Sequence, residues 1–164
     1  MALAYAKTLE IKIMAAQGIT YAGTVLSISA GLPTTYDAPG FAALTFTVVG
    51  EVSNIGDRGK TFEDVNYTTL GARATKHLKG TSDQPETTIE LVIDRDDAGQ
   101  ILLKEASASD DLYAYKVAYA NGEVDYFNAL AYSFVTVGGD ANTVRTGTAN
   151  IRLDERDAVE VPAP

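Results

Sequence analysis

The part of the chain that most constrains its fold is residues 112–161, in which strand-like runs alternate with tight turns. Asn121-Gly122 separates two runs rich in aromatic and β-branched residues, and both residues of the pair adopt positive φ at low cost. This pair predicts a β-hairpin. Gly138-Gly139-Asp140 marks the next reversal, ahead of a threonine-rich run. Three consecutive antiparallel strands are therefore expected.

Period-two alternation of apolar and polar residues predicts further strands upstream. In residues 41–49, Leu44, Phe46 and Val48 share one face and Thr45 and Thr47 the other, which is typical of a half-buried strand. Comparable β-rich patterns cover residues 7–15, 19–29 and 87–93.

One short helix is predicted after residue 93. Asp96 or Asp97 is expected to cap it, and Ile101, Leu102 and Ala106 give it a short apolar stripe. Seven or eight strands with one helix predict a mainly β fold, an antiparallel β-sandwich or open barrel with one short flanking α-helix. A length of 164 residues with 46% hydrophobic side chains suits a single domain spanning residues 1–164.

The residue types needed for catalysis or metal binding are nearly absent. The chain has no cysteine and one histidine, His77, which excludes disulfides and zinc sites built on thiolates and imidazoles. Asp94, Asp96 and Asp97 lack the spacing of a calcium-binding loop and are interpreted as helix-capping residues. The sequence contains no GxSxG, GxGxxG or GxxxxGK[ST] motif. We expect no enzyme activity, no metal and no cofactor.

The charge balance disfavours anionic partners. A formal net charge of -9 repels nucleic acid phosphates and anionic membranes. The first residues contain no long apolar stretch, so we expect neither a signal peptide nor a membrane span, and a soluble cytoplasmic product.

Three segments are expected to lie outside the sheet framework. Residues 53–65 are polar, contain two glycines and are weakly periodic, which predicts a long loop. Residues 67–78 hold a basic cluster, interpreted as a solvated strand and turn. Residues 1–16 form an N-terminal arm and residues 154–164 a C-terminal tail, and both are secondary candidates for contacts between subunits.

The order of these elements resembles the major tail tube proteins of long-tailed, non-contractile (siphovirus-type) bacteriophages. The resemblance rests on residues 85–161: a strand, an aspartate-led helix, a strand with Tyr115-Lys116, an Asn-Gly hairpin, an aromatic strand and a final strand with an acidic tail. The segment VGEVSNIGDRGKTFEDVNYTTLGARATKHLKG is similar to the family's upstream part. The similarity extends over residues 44–161.

This resemblance implies a structural virion protein of the phage tail, assembled in the host cytoplasm. Homohexameric rings would stack into a hollow tube through which DNA is delivered without specific binding. The tape measure, tail terminator and tail tip proteins are the implied partners. An acidic, hydroxyl-rich lumen would repel phosphates.

Two sets of residues are candidates for these roles. The loop at residues 53–65 has the length to reach a neighbouring subunit, and its candidate contact residues are Asp57, Arg58, Lys60, Phe62, Glu63 and Asp64. The candidate lumen residues lie opposite the apolar Leu44, Phe46, Ile151 and Leu153, and they are Thr45, Thr47, Thr146, Thr148 and Asn150.

Two other classes of protein are alternatives. A tube protein of a type VI secretion system shares the broad fold and conveys effectors in place of DNA. A β-sandwich carbohydrate-binding module needs an exposed aromatic platform, for which the candidate residues are Tyr113, Tyr115, Tyr119, Tyr126 and Tyr132.

Overall fold

The computed structural model describes residue 18 and residues 20–164. The predicted strand at residues 7–15 and the arm at residues 1–16 lie outside the described residues. The described part contains ten strands and two helices. Their bounds are β1 Val25–Ser29, α1 Ala38–Ala42, β2 Thr47–Val48, β3 Val52–Ile55, β4 Thr61–Tyr67, β5 Lys76–Asp83, β6 Glu86–Val92, α2 Ala98–Ser107, β7 Tyr113–Ala118, β8 Val124–Thr136, β9 Thr146–Leu153 and β10 Val159–Val161.

Eight of these strands form one antiparallel sheet that curls into an open barrel. The strand order is β2-β1-β7-β8-β9-β6-β3, with β10 added beside β8. The two end strands of this path, β2 and β3, are separated by only residues 49–51. The Val49 amide donates to the Leu26 carbonyl at 2.9 Å, and the Val92 amide donates to the Glu51 carbonyl at 2.9 Å. Residues 49–51 therefore form hydrogen bonds both with β1, near one edge of the sheet, and with β6, near the other edge. Because this link is only three residues long, the sheet must curve until the two edges lie close together. The predicted mainly β, antiparallel fold is confirmed.

The core fills the inside of this barrel. Along β9, Gly147, Ala149 and Ile151 are buried, and the residues between them are half-buried. Helix α2 adds Leu103 and Ala106 to the same core. The remaining large buried side chains of this core come from five strands and from the residue after β2, and they are Leu26, Ile28, Val49, Ile89, Leu91, Tyr115, Val117, Phe127 and Leu153.

Helix α2 starts as the sequence predicts. The Asp97 carboxylate accepts a hydrogen bond from the Gln100 amide at 2.7 Å, so Asp97 is the N-cap. The buried Gln100 side chain donates to the carbonyls of Gly50 and Val92 at 3.0 and 2.9 Å. These bonds connect the helix to the link that closes the barrel. Neither helix that the structure describes is long and apolar enough to cross a membrane.

The strand predicted over residues 41–49 is wrong. Residues Ala38–Ala42 form α1, and the strand that follows has only two residues. Asp37 accepts from the Gly40 amide at 2.8 Å and Pro39 lies in the first helical turn, which together favour a helix start. Phe41 then packs against the Tyr126 ring at 5.3 Å between centroids. Burial of this aromatic residue outweighs the period-two pattern.

The loop predicted at residues 53–65 is also wrong as secondary structure. Its first residues belong to β3, and its last residues begin β4. Strands β4 and β5 pair with each other in a separate two-stranded sheet. By contrast, the Asn121-Gly122 hairpin between β7 and β8 is confirmed, with Gly122 at φ 94°.

Candidate assembly surfaces

The β4–β5 hairpin is a ribbon that projects from the barrel with its side chains exposed. Val65 pairs with Leu78, and Tyr67 pairs with Lys76, so these four side chains share one face. Val65, Leu78 and Tyr67 are 48%, 57% and 45% exposed. A two-stranded ribbon is marginally stable in water by itself. Apart from the Lys76 ammonium, which lies 5.8 Å from the centre of the Tyr67 ring, this face is apolar and is suited to being covered by another surface.

The opposite face of the hairpin is held together by polar contacts. The His77 imidazole lies 2.7 Å from the Asp64 carboxylate. The Lys79 ammonium lies 4.6 Å from the centre of the Phe62 ring. Exposed pairs of this kind contribute little to the free energy of unfolding, so we expect them to favour the observed strand register without making the ribbon stable by itself.

A largely buried polar cluster joins the base of the hairpin to the barrel. The Arg58 guanidinium donates to the Tyr119 hydroxyl at 2.7 Å and to the Asp125 carboxylate at 3.2 Å. The Tyr119 hydroxyl donates to the same carboxylate at 2.6 Å. Burial, and then the Asp125 hydrogen bond, raise the pKa of Tyr119 above its ordinary value. Only 12% of the Arg58 side chain is exposed, so Arg58 holds the strand-to-hairpin link in place.

The six residues proposed for subunit contacts thus fall into two groups. Arg58 and Lys60 lie at the hairpin base, and the Lys60 ammonium lies 3.3 Å from the Asp157 carboxylate. The Asp57 carbonyl accepts from the Thr87 hydroxyl at 2.7 Å, while the Asp57 side chain is exposed. The other three, on exposed β4, are Phe62, Glu63 and Asp64.

Three of the five lumen candidates form one polar surface on the outside of the barrel. Thr146, Thr148 and Asn150 alternate with buried residues along β9. The Thr88 hydroxyl on β6 donates to the Asn150 side-chain oxygen at 3.0 Å, and Glu90 pairs with Thr148. Hydroxyl, amide and carboxylate groups therefore lie side by side on β6 and β9.

Thr45 and Thr47 do not join this surface. Thr47 pairs with Ile28, whose side chain is fully buried, and directly paired residues of antiparallel strands point to the same face. Thr47 therefore lies on the core side of the sheet. Thr45 lies between α1 and β2. Because residues 38–42 are helical and β2 has only two residues, the outward-facing residue of this segment is Val48, which is 54% exposed.

The five tyrosines proposed as a carbohydrate platform are spread over different environments. Tyr115 is fully buried and Tyr126 is 8% exposed. Tyr113 and Tyr119 are half-buried, and Tyr119 is engaged by Arg58 and Asp125. Tyr132 is the one exposed member of this set, at 58%. The five side chains therefore provide no aromatic platform.

Comparisons with known proteins identify the fold. No protein-family model and no curated protein matches the sequence. Solved structures do match. A chain of the anti-feeding prophage (AFP) baseplate, 6-fold symmetrised, has a TM-score of 0.62 at 10% identity, covering 90% of this chain and 97% of that one.

Two further structures agree. A chain of the PVC sheath/tube terminator, from an extracellular contractile injection system, has a TM-score of 0.64 at 9% identity, covering 89% of this chain and 98% of that one. The SPP1 tail tube protein has a TM-score of 0.59 at 9% identity, covering 84% of this chain and 75% of that one. The chain therefore has the fold of tail tube proteins from phage and phage-like tails.

Proposed function

We propose that this protein is the structural subunit of a tail tube, polymerising as stacked hexameric rings in the virion tail. The observation that carries the proposal is the projecting β4–β5 hairpin, whose apolar face is exposed on a barrel of tail-tube fold. An exposed apolar sheet face is a surface for association. Ring symmetry directs such association into a closed object. The 6-fold symmetry of the AFP baseplate supports a ring of six.

The finer proposal is a non-contractile, siphovirus-type tail whose lumen carries DNA during delivery. We assign Thr146, Thr148 and Asn150 to the lumen wall, with Glu90 beside them. Arg152 shares this face of β9, but it is paired across the strands with Glu86, and a wall of hydroxyl, amide and carboxylate groups on a chain of net charge -9 repels phosphates. DNA would slide through such a lumen without sticking. The tape measure, tail terminator and tail tip proteins are the proposed partners, and assembly would occur in the host cytoplasm.

A second candidate is a tube subunit of a contractile injection system. The likeness to the AFP and PVC chains favours it, because their TM-scores of 0.62 and 0.64 are at least as high as that of the SPP1 tail tube protein. Such a tube would convey cargo other than DNA, as in the type VI secretion alternative. A contractile tube must bind a sheath, so co-assembly with a sheath subunit from the same genome separates the two candidates.

Negative-stain electron microscopy of the purified protein at high concentration, beside a sizing column, tests the proposal. Hollow tubes or six-fold rings are expected. A monomer at every concentration that binds glycans would contradict the proposal and favour the carbohydrate-binding class.

Shortening the hairpin tests its role in the assembly. Replacing residues 62–82 by a short glycine-serine turn removes the ribbon and leaves the Lys60–Asp157 ion pair in place. The shortened protein should stay folded and form no tubes. Replacing residues 31–34, in the exposed connection between β1 and α1, by glycine and serine gives a control for loop alteration. Tubes of native length from the shortened protein would show that the hairpin is not an assembly element.

A further inference from the structure

A single cation lies on the wall formed by β3, β6, β9 and β8, four strands that are neighbours in the sheet. Arg152 on β9 is the one basic residue within these four described strands. It is exposed, while Ile151 and Leu153 on either side of it are buried. Arg152 therefore points to the same face as Thr148 and Asn150, which is the face proposed as the lumen wall.

Arg152 lies between a carboxylate and an aromatic ring. Glu86 on β6 is exposed and is directly paired with Arg152. Side chains that are directly paired across antiparallel strands share one face, with Cβ atoms about 5 Å apart. On the other side, β8 has a register irregularity between Ala131 and Ser133, which leaves Tyr132 without a directly paired residue on β9. The Arg152 Cζ atom lies 5.9 Å from the centre of the Tyr132 ring. Both neighbours stabilise a cation at this position.

Without a neighbouring carboxylate, this arginine would be a binding site for phosphate. The guanidinium presents a planar fork of N–H donors that matches phosphate oxygens, and it keeps its charge at any physiological pH. A hexameric ring, as proposed from the 6-fold neighbour, would place six copies of Arg152 at one level and repeat them in every layer. Weak phosphate contacts that repeat along a polymer add up to strong retention of the polymer.

We propose that Glu86 masks the charge of Arg152 and thereby prevents this arginine from holding DNA during its passage. Directly paired side chains lie well within the screening length of about 8 Å at physiological ionic strength, so a passing phosphate meets a nearly neutral pair. The Tyr132 ring keeps the guanidinium beside the wall. This inference rests on the proposed tube function and gives one carboxylate a specific role. It differs from general repulsion by an acidic wall, to which every carboxylate of the face contributes alike.

Two matched substitutions distinguish masking from general repulsion. Glu86→Gln and Glu90→Gln each remove one carboxylate from an exposed position on the same face of β6, but Glu90 is paired with Thr148 and not with an arginine. Tubes of each variant are mixed with a short labelled DNA duplex at low ionic strength and sedimented. Glu86→Gln tubes should retain several-fold more duplex than wild-type tubes, and added salt should release it. Glu90→Gln tubes should retain no more duplex than wild-type tubes.

Removal of the arginine should abolish the effect. Tubes that carry both Glu86→Gln and Arg152→Gln should retain as little duplex as wild-type tubes. Arg152→Gln alone should also leave retention unchanged, because the cation is already masked in the wild-type protein. Equal retention by the Glu86→Gln and Glu90→Gln tubes overturns the masking. So does high retention by the double variant, or lower retention by Arg152→Gln tubes than by wild-type tubes.

These outcomes also separate failure of this inference from failure of the proposed function. If the wild-type protein forms neither rings nor tubes, the proposed function fails and the masking fails with it. If tubes form and the substitutions give any of the contradicting results, only the masking fails. Mosaic tubes with a minority of Glu86→Gln subunits cover the case in which that variant does not assemble alone. Their retention of duplex should rise with the fraction of Glu86→Gln, and retention that does not rise overturns the masking.

Discussion

At the scale of single residues, Gly99 is required by the close approach of α2 to the chain at β2. A Cβ atom at Gly99 would meet the Val48 carbonyl oxygen and lie 2.6 Å from the Val49 Cα. These atoms belong to the backbone that leads into the barrel-closing link, so they cannot move aside cheaply. By local helix propensity alone, Gly99 is only a residue that weakens the helix. Its packing role depends on a contact with a distant part of the chain.

We therefore expect Gly99→Ala to lower the free energy of unfolding by about 2 kcal/mol, because overpacking against the backbone outweighs alanine's better helix propensity. Urea unfolding followed by circular dichroism measures the change. Gly71→Ala is the matched control, since a Cβ atom at Gly71 would meet no other atom within 4 Å. Equal stability of the two variants would show that α2 can shift away from β2.

The Arg58 cluster leads to a second prediction at this scale. Arg58→Met leaves the Asp125 carboxylate, with 18% of its side chain exposed, without its cationic partner. The expected loss is about 3 kcal/mol in the free energy of unfolding. Adding Asp125→Asn to Arg58→Met should restore part of it, because the unpaired charge is then removed. Arg73→Met on the exposed turn is the control and should change stability by less than about 0.5 kcal/mol.

At the scale of elements, the link at residues 49–51 decides how the barrel closes. Glu51 has φ 56°, the left-handed region that costs non-glycine residues about 1 kcal/mol or more. The strain is maintained because the Glu51 carbonyl accepts the Val92 amide on the far edge of the sheet. A link of three residues must reverse direction sharply in order to pair with both β1 and β6.

Relief of this strain should stabilise the protein. We expect Glu51→Gly to raise the free energy of unfolding by about 1 kcal/mol, since glycine adopts positive φ readily. Glu51→Ala is the control, because it removes the same carboxylate and keeps the strained conformation. Thermal unfolding of both variants checks the difference. If Glu51→Ala raises the free energy of unfolding as much as Glu51→Gly does, the Glu51 carboxylate, and not the backbone conformation, is what destabilises the wild-type protein.

At the scale of the whole molecule, the polar surface on β6 and β9 should control what passes through an assembled tube. Thr148→Lys combined with Asn150→Lys places cations on the proposed lumen wall, where they would bind passing phosphates. Tubes should form normally by electron microscopy, and infectivity should fall roughly tenfold or more because ejection is slowed. Thr148→Gln with Asn150→Gln controls for side-chain size. Unchanged DNA delivery with lysines present would remove this surface from the lumen.

The sequence by itself determined the features that depend on neighbouring residues along the chain. Alternation predicted β6 and β9, Asn121-Gly122 predicted the β7–β8 hairpin, and an aspartate was predicted to cap α2. These signals are local, because side-chain period, positive φ and capping are set within a few residues. Together they were sufficient for the mainly β fold.

Only the tertiary structure decided which surfaces these elements present. Pairing of Thr47 with Ile28 places Thr47 on the core side, and a shift of one residue in register would have reversed it. Arg58 is largely buried because Tyr119 and Asp125, more than 60 residues away in the chain, lie within hydrogen-bond distance of its guanidinium. The exposed apolar face of the β4–β5 hairpin likewise arises from strand pairing, because the pairing of Val65 with Leu78 places both side chains on one face. Long-range pairing sets these positions, and no local pattern encodes it.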